Sequence, residues 1–93
     1  MLKNNTMPEI SRFYGIIIRM YIKDHSPPHF HAEYGGNEAM VNIQTGEIIQ
    51  GDLPRRALRL VQDWVELHKE ELLYDFGVLS KGQPDWIPID PLD

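Results

Sequence analysis

A cluster of histidines marks the segment from Asp24 to His31, where three of the four histidines of the chain fall within seven residues. Imidazole titrates near neutral pH and is the commonest metal ligand, so such a cluster can do acid–base or metal chemistry. His29 and His31 lie two residues apart in a segment that alternates polar and apolar residues. On a β-strand this spacing points both rings to the same side, about 6.5 Å apart along the chain. We take this segment as the candidate site.

Two kinds of chemistry fit the cluster equally well. His25, His29 and His31 together can bind a divalent metal such as Zn²⁺, Mn²⁺ or Ni²⁺, and an open coordination position would activate a bound water. Without a metal, His29 and His31 can act as general base and general acid, with His25 folded back toward them by the turn at residues 27–28. Glu33 continues the same strand face and is a further candidate.

A pair of arginines, Arg55 and Arg56, opens the helix that we predict after the strands. Positive charge in a first helical turn opposes the helix dipole, at a cost of roughly a few tenths of a kcal/mol. Guanidinium groups beside free helix N–H groups can hold an anion such as phosphate. With His29 and His31 as base and acid, this pair completes the set needed to cleave RNA through its 2′-hydroxyl. The alternative is ordinary pairing of the arginines with acidic side chains on the surface.

The strands that must position these residues follow from the alternation of apolar and polar residues. Segments rich in β-branched and aromatic residues run from Tyr14 to Lys23, from His29 to Tyr34 and from Asn37 to Ile43. A short fourth segment runs from Glu47 to Gln50, and Gly35–Gly36 marks a hairpin because both positions tolerate positive φ. The pattern predicts an antiparallel meander of three or four strands.

After the strands, the spacing of the apolar residues changes to that of a helix. Asp52 or Leu53 is the predicted N-cap, with Pro54 in the first turn, and the pattern ends at Lys81–Gly82. A single helix over this whole segment would have about 27 residues and would exceed the usual length of ~10–14 residues. Four polar residues interrupt its apolar stripe at positions 68–71, so we expect one bent helix or two helices. Strands followed by helices indicate an α+β fold, with the helical part packed on one face of the sheet.

The composition is that of one small globular domain. The chain has 93 residues, of which 42% are hydrophobic and 25% charged. Residues 1–7 are mostly polar and are predicted to be a flexible extension of a domain spanning residues 8–93. The absence of cysteine excludes disulfides and thiol chemistry. No apolar run approaches the length of a membrane span or a signal peptide, which favours a cytoplasmic protein without membrane contact.

The size and charge of the chain bear on its partners. A chain this short buries only about 60–65% of the surface that it exposes when unfolded. We therefore expect a second copy or another small protein to complete its core. The net charge of −5 argues mildly against RNA as a partner bound mainly through its phosphates.

Three strings of the sequence carry a resemblance: Ile10-Ser11-Arg12-Phe13-Tyr14-Gly15-Ile16, His25-Ser26-Pro27-Pro28-His29-Phe30-His31 and Leu53-Pro54-Arg55-Arg56. From about Met7 to Pro84 the chain resembles a small bacterial family, the domain of unknown function four-one-six-zero. The resemblance adds Arg12 and Tyr14 to the candidate site residues.

This resemblance also implies a biological setting. Such genes often lie beside a second small domain, and the pair looks like a toxin–antitoxin module. The chain would then be the toxin half, a possible ribonuclease acting on RNA, with a small antitoxin-like protein or a second copy as its partner. A non-catalytic interaction module and a histidine-based metal-binding module are the alternatives that the residues leave open.

Overall fold

Five β-strands form one antiparallel sheet in the computed structural model, which describes residues 7–93. Each strand pairs with the next one along the chain, so the sheet is a simple meander. The strands are β1 (Glu9–Phe13), β2 (Ile16–Arg19), β3 (His29–Tyr34), β4 (Asn37–Asn42) and β5 (Ile48–Gly51). The α+β class and the antiparallel meander are confirmed, and β3 has the predicted bounds.

The prediction of three or four strands is wrong because β1 was not predicted. Tyr14 and Gly15 form the two-residue turn between β1 and β2, with φ angles of 50° and 81°, so Tyr14 does not begin a strand. The register between Glu9 and Ser11 is irregular, which is typical of a β-bulge. This bulge breaks the strict alternation that identifies a strand in the sequence. The strand that was predicted to end at Lys23 is also shorter in the structure, because β2 ends at Arg19.

One helix, α1 (Arg55–Ser80), follows the sheet, and it is bent where the polar interruption lies. His68 has non-helical angles, φ −127° and ψ 23°, and marks the bend, so of the two predicted alternatives the structure has the single bent helix. The N-cap is Pro54, not Asp52 or Leu53, and none of the described side chains caps the first turn. On both sides of the bend α1 buries apolar residues against the sheet, and these include Val61, Trp64, Val65, Leu72, Phe76 and Leu79.

The core lies between α1 and one face of the sheet. Phe30 and Ala32 of β3 are fully buried there, and the ring of Phe30 meets Trp64 edge to face, with 5.8 Å between ring centroids. Because side chains alternate along a strand, His31 and Glu33 point toward the opposite face, which α1 does not cover. The fold thus leaves one face of the sheet available for polar groups.

The C-terminal segment runs back along the first strand. Ile89 donates a backbone hydrogen bond to Ile10, and the indole N–H of Trp64 donates to the carbonyl of Asp90. Apart from Met7, the predicted extension of residues 1–7 lies outside the described residues. Within residues 7–93, no helix is both long and apolar enough to cross a membrane.

Candidate metal centre

The loop of residues 20–28 places an acidic side chain beside the start of β3. The backbone N–H of Lys23 donates a 2.8 Å hydrogen bond to the carbonyl of Leu79, which ties the loop to the end of α1. Asp24 follows directly, and its side chain is only partly exposed. The loop then returns to His29, the first residue of β3. The contact with α1 therefore brings Asp24 to the histidines.

Asp24, His29 and His31 converge on one point. Nε2 of His29 lies 2.8 Å from Oδ2 of Asp24, and Nε2 of His31 lies 3.8 Å from the same oxygen. Each residue offers one atom able to ligate a metal, and these atoms all lie within 4.8 Å of one another. Among the described residues this is the group of histidine and acidic side chains with that geometry.

The ring of His29 is fixed by an acceptor at each nitrogen. Nδ1 lies 2.7 Å from the carbonyl oxygen of Pro27, which can only accept a hydrogen bond, so Nδ1 carries the hydrogen. Nε2 then faces the carboxylate of Asp24 at 2.8 Å. Two outcomes satisfy this arrangement: Nε2 carries a second hydrogen, or a cation lies between Nε2 and the carboxylate. A histidine whose Nδ1 donates to a backbone carbonyl has the tautomer that coordinates through Nε2.

His31 has one nitrogen with an acidic neighbour and one without a partner. Nδ1 lies 3.3 Å from Oε2 of Glu38, on the neighbouring strand β4. Nε2 is buried and has no hydrogen-bond partner among the described residues, although it lies 3.8 Å from Oδ2 of Asp24. Burial, together with the proximity of His29, lowers the pKa of His31, which favours the neutral form that binds metals.

Aromatic rings shield the two histidines from water. The ring of Tyr21 lies against His31 with 4.4 Å between centroids, and Phe76 of α1 lies 5.5 Å from His29. The exposed fractions of His29 and His31 are 5% and 9%. In such surroundings an uncompensated polar atom is costly, typically about 1–3 kcal/mol. The unpartnered nitrogen of His31 therefore requires a physical explanation.

Two of the predicted site residues on this side of the molecule lie outside the converging group. His25 is exposed, and its backbone N–H donates to Oδ1 of Asp24 at 2.9 Å, which helps to orient that carboxylate. Glu33 shares the face of His31 but accepts a hydrogen bond from Arg19 at 3.2 Å. The structure thus groups Asp24, instead of His25 or Glu33, with the two histidines.

The predicted arginine and tyrosine residues lie elsewhere. Arg12 pairs with Glu9 on the surface, at 2.9 Å. Tyr14 and Arg56 line a cleft together with Tyr34, the last residue of β3. Five residues of strand, about 16 Å, separate Tyr34 from the start of β3. The structure therefore does not bring Arg56, or its neighbour Arg55, to the histidines.

Sequence reasoning missed two members of the site, Asp24 and Glu38. Asp24 lies in the histidine-rich segment, but the strand spacing that singles out His29 and His31 does not extend to it. Glu38 could have been found from the hairpin at Gly35–Gly36, because that turn sets the register between β3 and β4. The register pairs Glu33 with Glu38 and His31 with Met40, so Glu38 lies diagonally opposite His31 on the same face.

Comparison with known proteins gives one match. The sequence profile of a family described as a domain of unknown function, DUF4160, matches residues 15–76. This range contains β2 to β5, the converging group and most of α1. No curated protein and no solved structure matches the chain significantly.

Proposed function

This chain belongs to the DUF4160 family, a domain of unknown function, and from its own geometry we propose that it binds a divalent transition-metal ion through Asp24, His29 and His31. The observation that carries the proposal is Nε2 of His31, which is buried and has no hydrogen-bond partner within residues 7–93. It lies 3.8 Å from a carboxylate oxygen that already contacts Nε2 of a second histidine. A cation at this point would satisfy all three atoms at once.

The distances suit a small divalent ion. Zinc binds imidazole nitrogen and carboxylate oxygen at about 2.0–2.2 Å, so two ligand atoms of a tetrahedral site lie roughly 3.3 Å apart. The separations of Oδ2 of Asp24 from the two Nε2 atoms are 2.8 and 3.8 Å, on either side of this value. Each separation differs from this value by about 0.5 Å, a change that side-chain rotation can supply.

Supporting contacts hold the proposed ligands in the required orientation. The outer nitrogen of His29 faces the carbonyl of Pro27, and that of His31 faces Glu38. Metal-bound histidines almost always have such a carbonyl or carboxylate at the other nitrogen, which fixes the tautomer and raises the basicity of the ligand. Three protein ligands leave a coordination position open for water or for a substrate group.

A metal titration tests the proposal. Protein purified without a histidine tag is titrated with ZnCl₂, and separately with MnCl₂ and NiCl₂, by isothermal titration calorimetry. We expect one ion per chain for at least one of the three metals. His31→Ala should abolish the binding, whereas His25→Ala, which alters an exposed histidine of the same segment, should retain it within about twofold.

Two results would contradict the metal site. One is the absence of a saturable 1:1 phase with every metal. The other is an equal loss of binding in the His25 and His31 variants, which would indicate an unspecific histidine-rich surface. Thermal unfolding of each variant without metal, monitored by circular dichroism, verifies that the fold is retained.

The toxin function implied by the resemblance stays a prediction, and the metal site gives it a specific form. If the chain cleaves RNA, a bound ion would supply an activated water at the histidines, and Arg55 and Arg56, near the other end of β3, would not contact the reacting phosphate. Expression of the wild-type chain should then arrest growth, and expression of His31→Ala should not. Growth arrest by both proteins would separate toxicity from the metal site.

A further inference from the structure

The cleft that Tyr14, Tyr34 and Arg56 line lies at the opposite end of β3 from the converging group. It has a volume of about 320 Å³ and is lined by Tyr14, Tyr34, Arg56, Ala57 and Leu60. The turn between β1 and β2, the end of β3 and the first turns of α1 meet there. The volume is at the lower end of the range of small-molecule sites, about 300–1,000 Å³.

The two tyrosines give the cleft an aromatic wall. Tyr14 is 59% exposed, an unusual exposure for so large a ring, and its backbone has the left-handed conformation with φ 50°. Glycine or asparagine is the usual residue at such a position. Tyr34 is partly buried, and its ring lies close to Gly15 of the same turn, where an added Cβ would lie 3.5 Å from Cε1. The contact with Tyr34 supports this turn, and the turn holds the exposed ring of Tyr14 at the cleft.

Arg56 gives the cleft a positive charge that no acidic side chain neutralises within residues 7–93. Arg12 and Arg19 each pair with a glutamate, at 2.9 and 3.2 Å. No such ion pair involves Arg56 in the described part of the chain. Its guanidinium is exposed and lines the cleft beside the aromatic wall. An unpaired guanidinium next to aromatic rings can bind the phosphate of a ligand that carries a planar ring.

We propose that this cleft binds a nucleobase with an attached phosphate, the base lying on Tyr14 and the phosphate on Arg56. Base–aromatic stacking tolerates every base because each one has a π-face, so the site would not select a sequence. Arginine matches the phosphate through paired N–H donors. The same ligand chemistry occurs in a free nucleoside monophosphate and at the 5′-phosphorylated end of a single-stranded RNA. This site is separate from the metal centre, and neither proposal depends on the other.

Binding of small probes tests the chemistry. Metal-free ¹⁵N-labelled protein is titrated with 5′-AMP, adenosine, inorganic phosphate, and tetra-adenylate with and without a 5′-phosphate. We expect shifts of the amide signals around Tyr14 and Arg56, with 5′-AMP binding at least about tenfold more tightly than adenosine or inorganic phosphate. Tighter binding of the phosphorylated RNA than of 5′-AMP identifies an RNA end as the ligand, and equal binding identifies the nucleotide alone.

Matched variants assign the contacts. Arg56→Gln should weaken 5′-AMP binding about tenfold or more, whereas Arg59→Gln, one turn further along α1 and outside the cleft, should change it less than twofold. Tyr14→Asn removes the ring but suits the left-handed backbone, so the turn is retained, and we expect a loss of about 5- to 150-fold. Tyr14→Phe, which retains the ring, should bind within about twofold of the wild type.

Three results would overturn the proposal. They are the absence of amide shifts at the cleft with millimolar 5′-AMP, equal losses in Arg56→Gln and Arg59→Gln, and binding of inorganic phosphate as tight as that of 5′-AMP. The last result would leave a simple anion site without a role for the aromatic wall. Thermal unfolding of each variant establishes that the fold is unchanged.

Discussion

Three buried side-chain atoms lack a hydrogen-bond partner within residues 7–93, and the two that belong to titratable groups, on His31 and Asp75, differ in what surrounds them. Nε2 of His31 lies 3.8 Å from the carboxylate of Asp24, which itself contacts His29. Oδ2 of Asp75, near the C-terminal end of α1, is equally unpartnered, and the other oxygen of this carboxyl accepts one hydrogen bond, from the backbone N–H of Ile87.

Because of this difference, a metal ion is the partner that suits Nε2 of His31, and a proton is the partner that suits Oδ2 of Asp75. At the start of β3, three atoms with lone pairs converge, and one cation would satisfy all of them. At Asp75 one fully buried carboxyl stands alone, and burial raises its pKa to about 6. A single proton on Oδ2 removes the charge that burial penalises. We therefore interpret the first place as a binding site and the second as a structural contact that holds the C-terminal segment.

The largest expected effect comes from removing the carboxylate of the converging group. Structural zinc sites bind with about 10–16 kcal/mol, so one of four ligands is worth roughly 2.5–4 kcal/mol, or about 70- to 900-fold in affinity. Asp24→Ala should lower the metal affinity by about this factor in a calorimetric titration. Asp75→Asn, which neutralises the other buried carboxyl, should leave it unchanged. Equal losses in the two variants would erase the distinction between the two places.

Asp75→Asn should instead change the stability, and only at neutral pH. The pKa of Asp75 is raised from 3.8 to about 6 by burial, so the folded state binds the proton more tightly than the unfolded state. The stabilisation from the protonated carboxyl is complete below about pH 4 and is lost as the pH rises through 6. Since asparagine is never charged, the variant should be more stable than the wild type by up to about 3 kcal/mol at pH 7.5.

Urea denaturation of both proteins at pH 4, 6 and 7.5 measures this gain. It should shrink toward zero at pH 4, where Asp75 is protonated in the folded and in the unfolded chain. The other titrating groups are the same in both proteins, so their effects cancel in the difference. A gain that is the same at all three pH values would show that the charge of Asp75 is not its cause.

What the sequence could predict at these places depends on how local the determining contact is. The histidine pair on one strand follows from alternation along β3, which needs no information from elsewhere in the chain. Asp24 joins the pair because Lys23 bonds to Leu79, a contact between segments far apart in the sequence. The burial of Asp75 likewise depends on where the C-terminal segment returns, and its carboxyl lies on a helix stripe that otherwise is apolar. Sequence patterns that repeat every two residues in a strand, or every 3.6 residues in a helix, give no information about such contacts.

A smaller effect is expected from Glu38, the residue beside the outer nitrogen of His31. Loss of such a supporting carboxylate typically lowers metal affinity by about 10- to 100-fold. The separation of 3.3 Å from Nδ1 is long for a charge-assisted hydrogen bond, so we expect Glu38→Ala to lie near the lower figure. Competition with a chelator of known zinc affinity measures the change. An unchanged affinity would show that His31 is oriented by its packing on Tyr21 alone.

The smallest effect is expected from Glu33, which lies directly opposite Glu38 in the register of β3 and β4. Its carboxylate accepts a hydrogen bond from Arg19 at 3.2 Å, and both side chains are partly exposed. Ion pairs of this kind contribute about 0.2–1 kcal/mol, so Glu33→Ala should cost less than about 1 kcal/mol of unfolding free energy in urea denaturation. Its metal affinity should equal that of the wild type. A tenfold loss of affinity would instead restore Glu33 as a ligand on the histidine face, and Asp24 would then be the residue whose role has to be reconsidered.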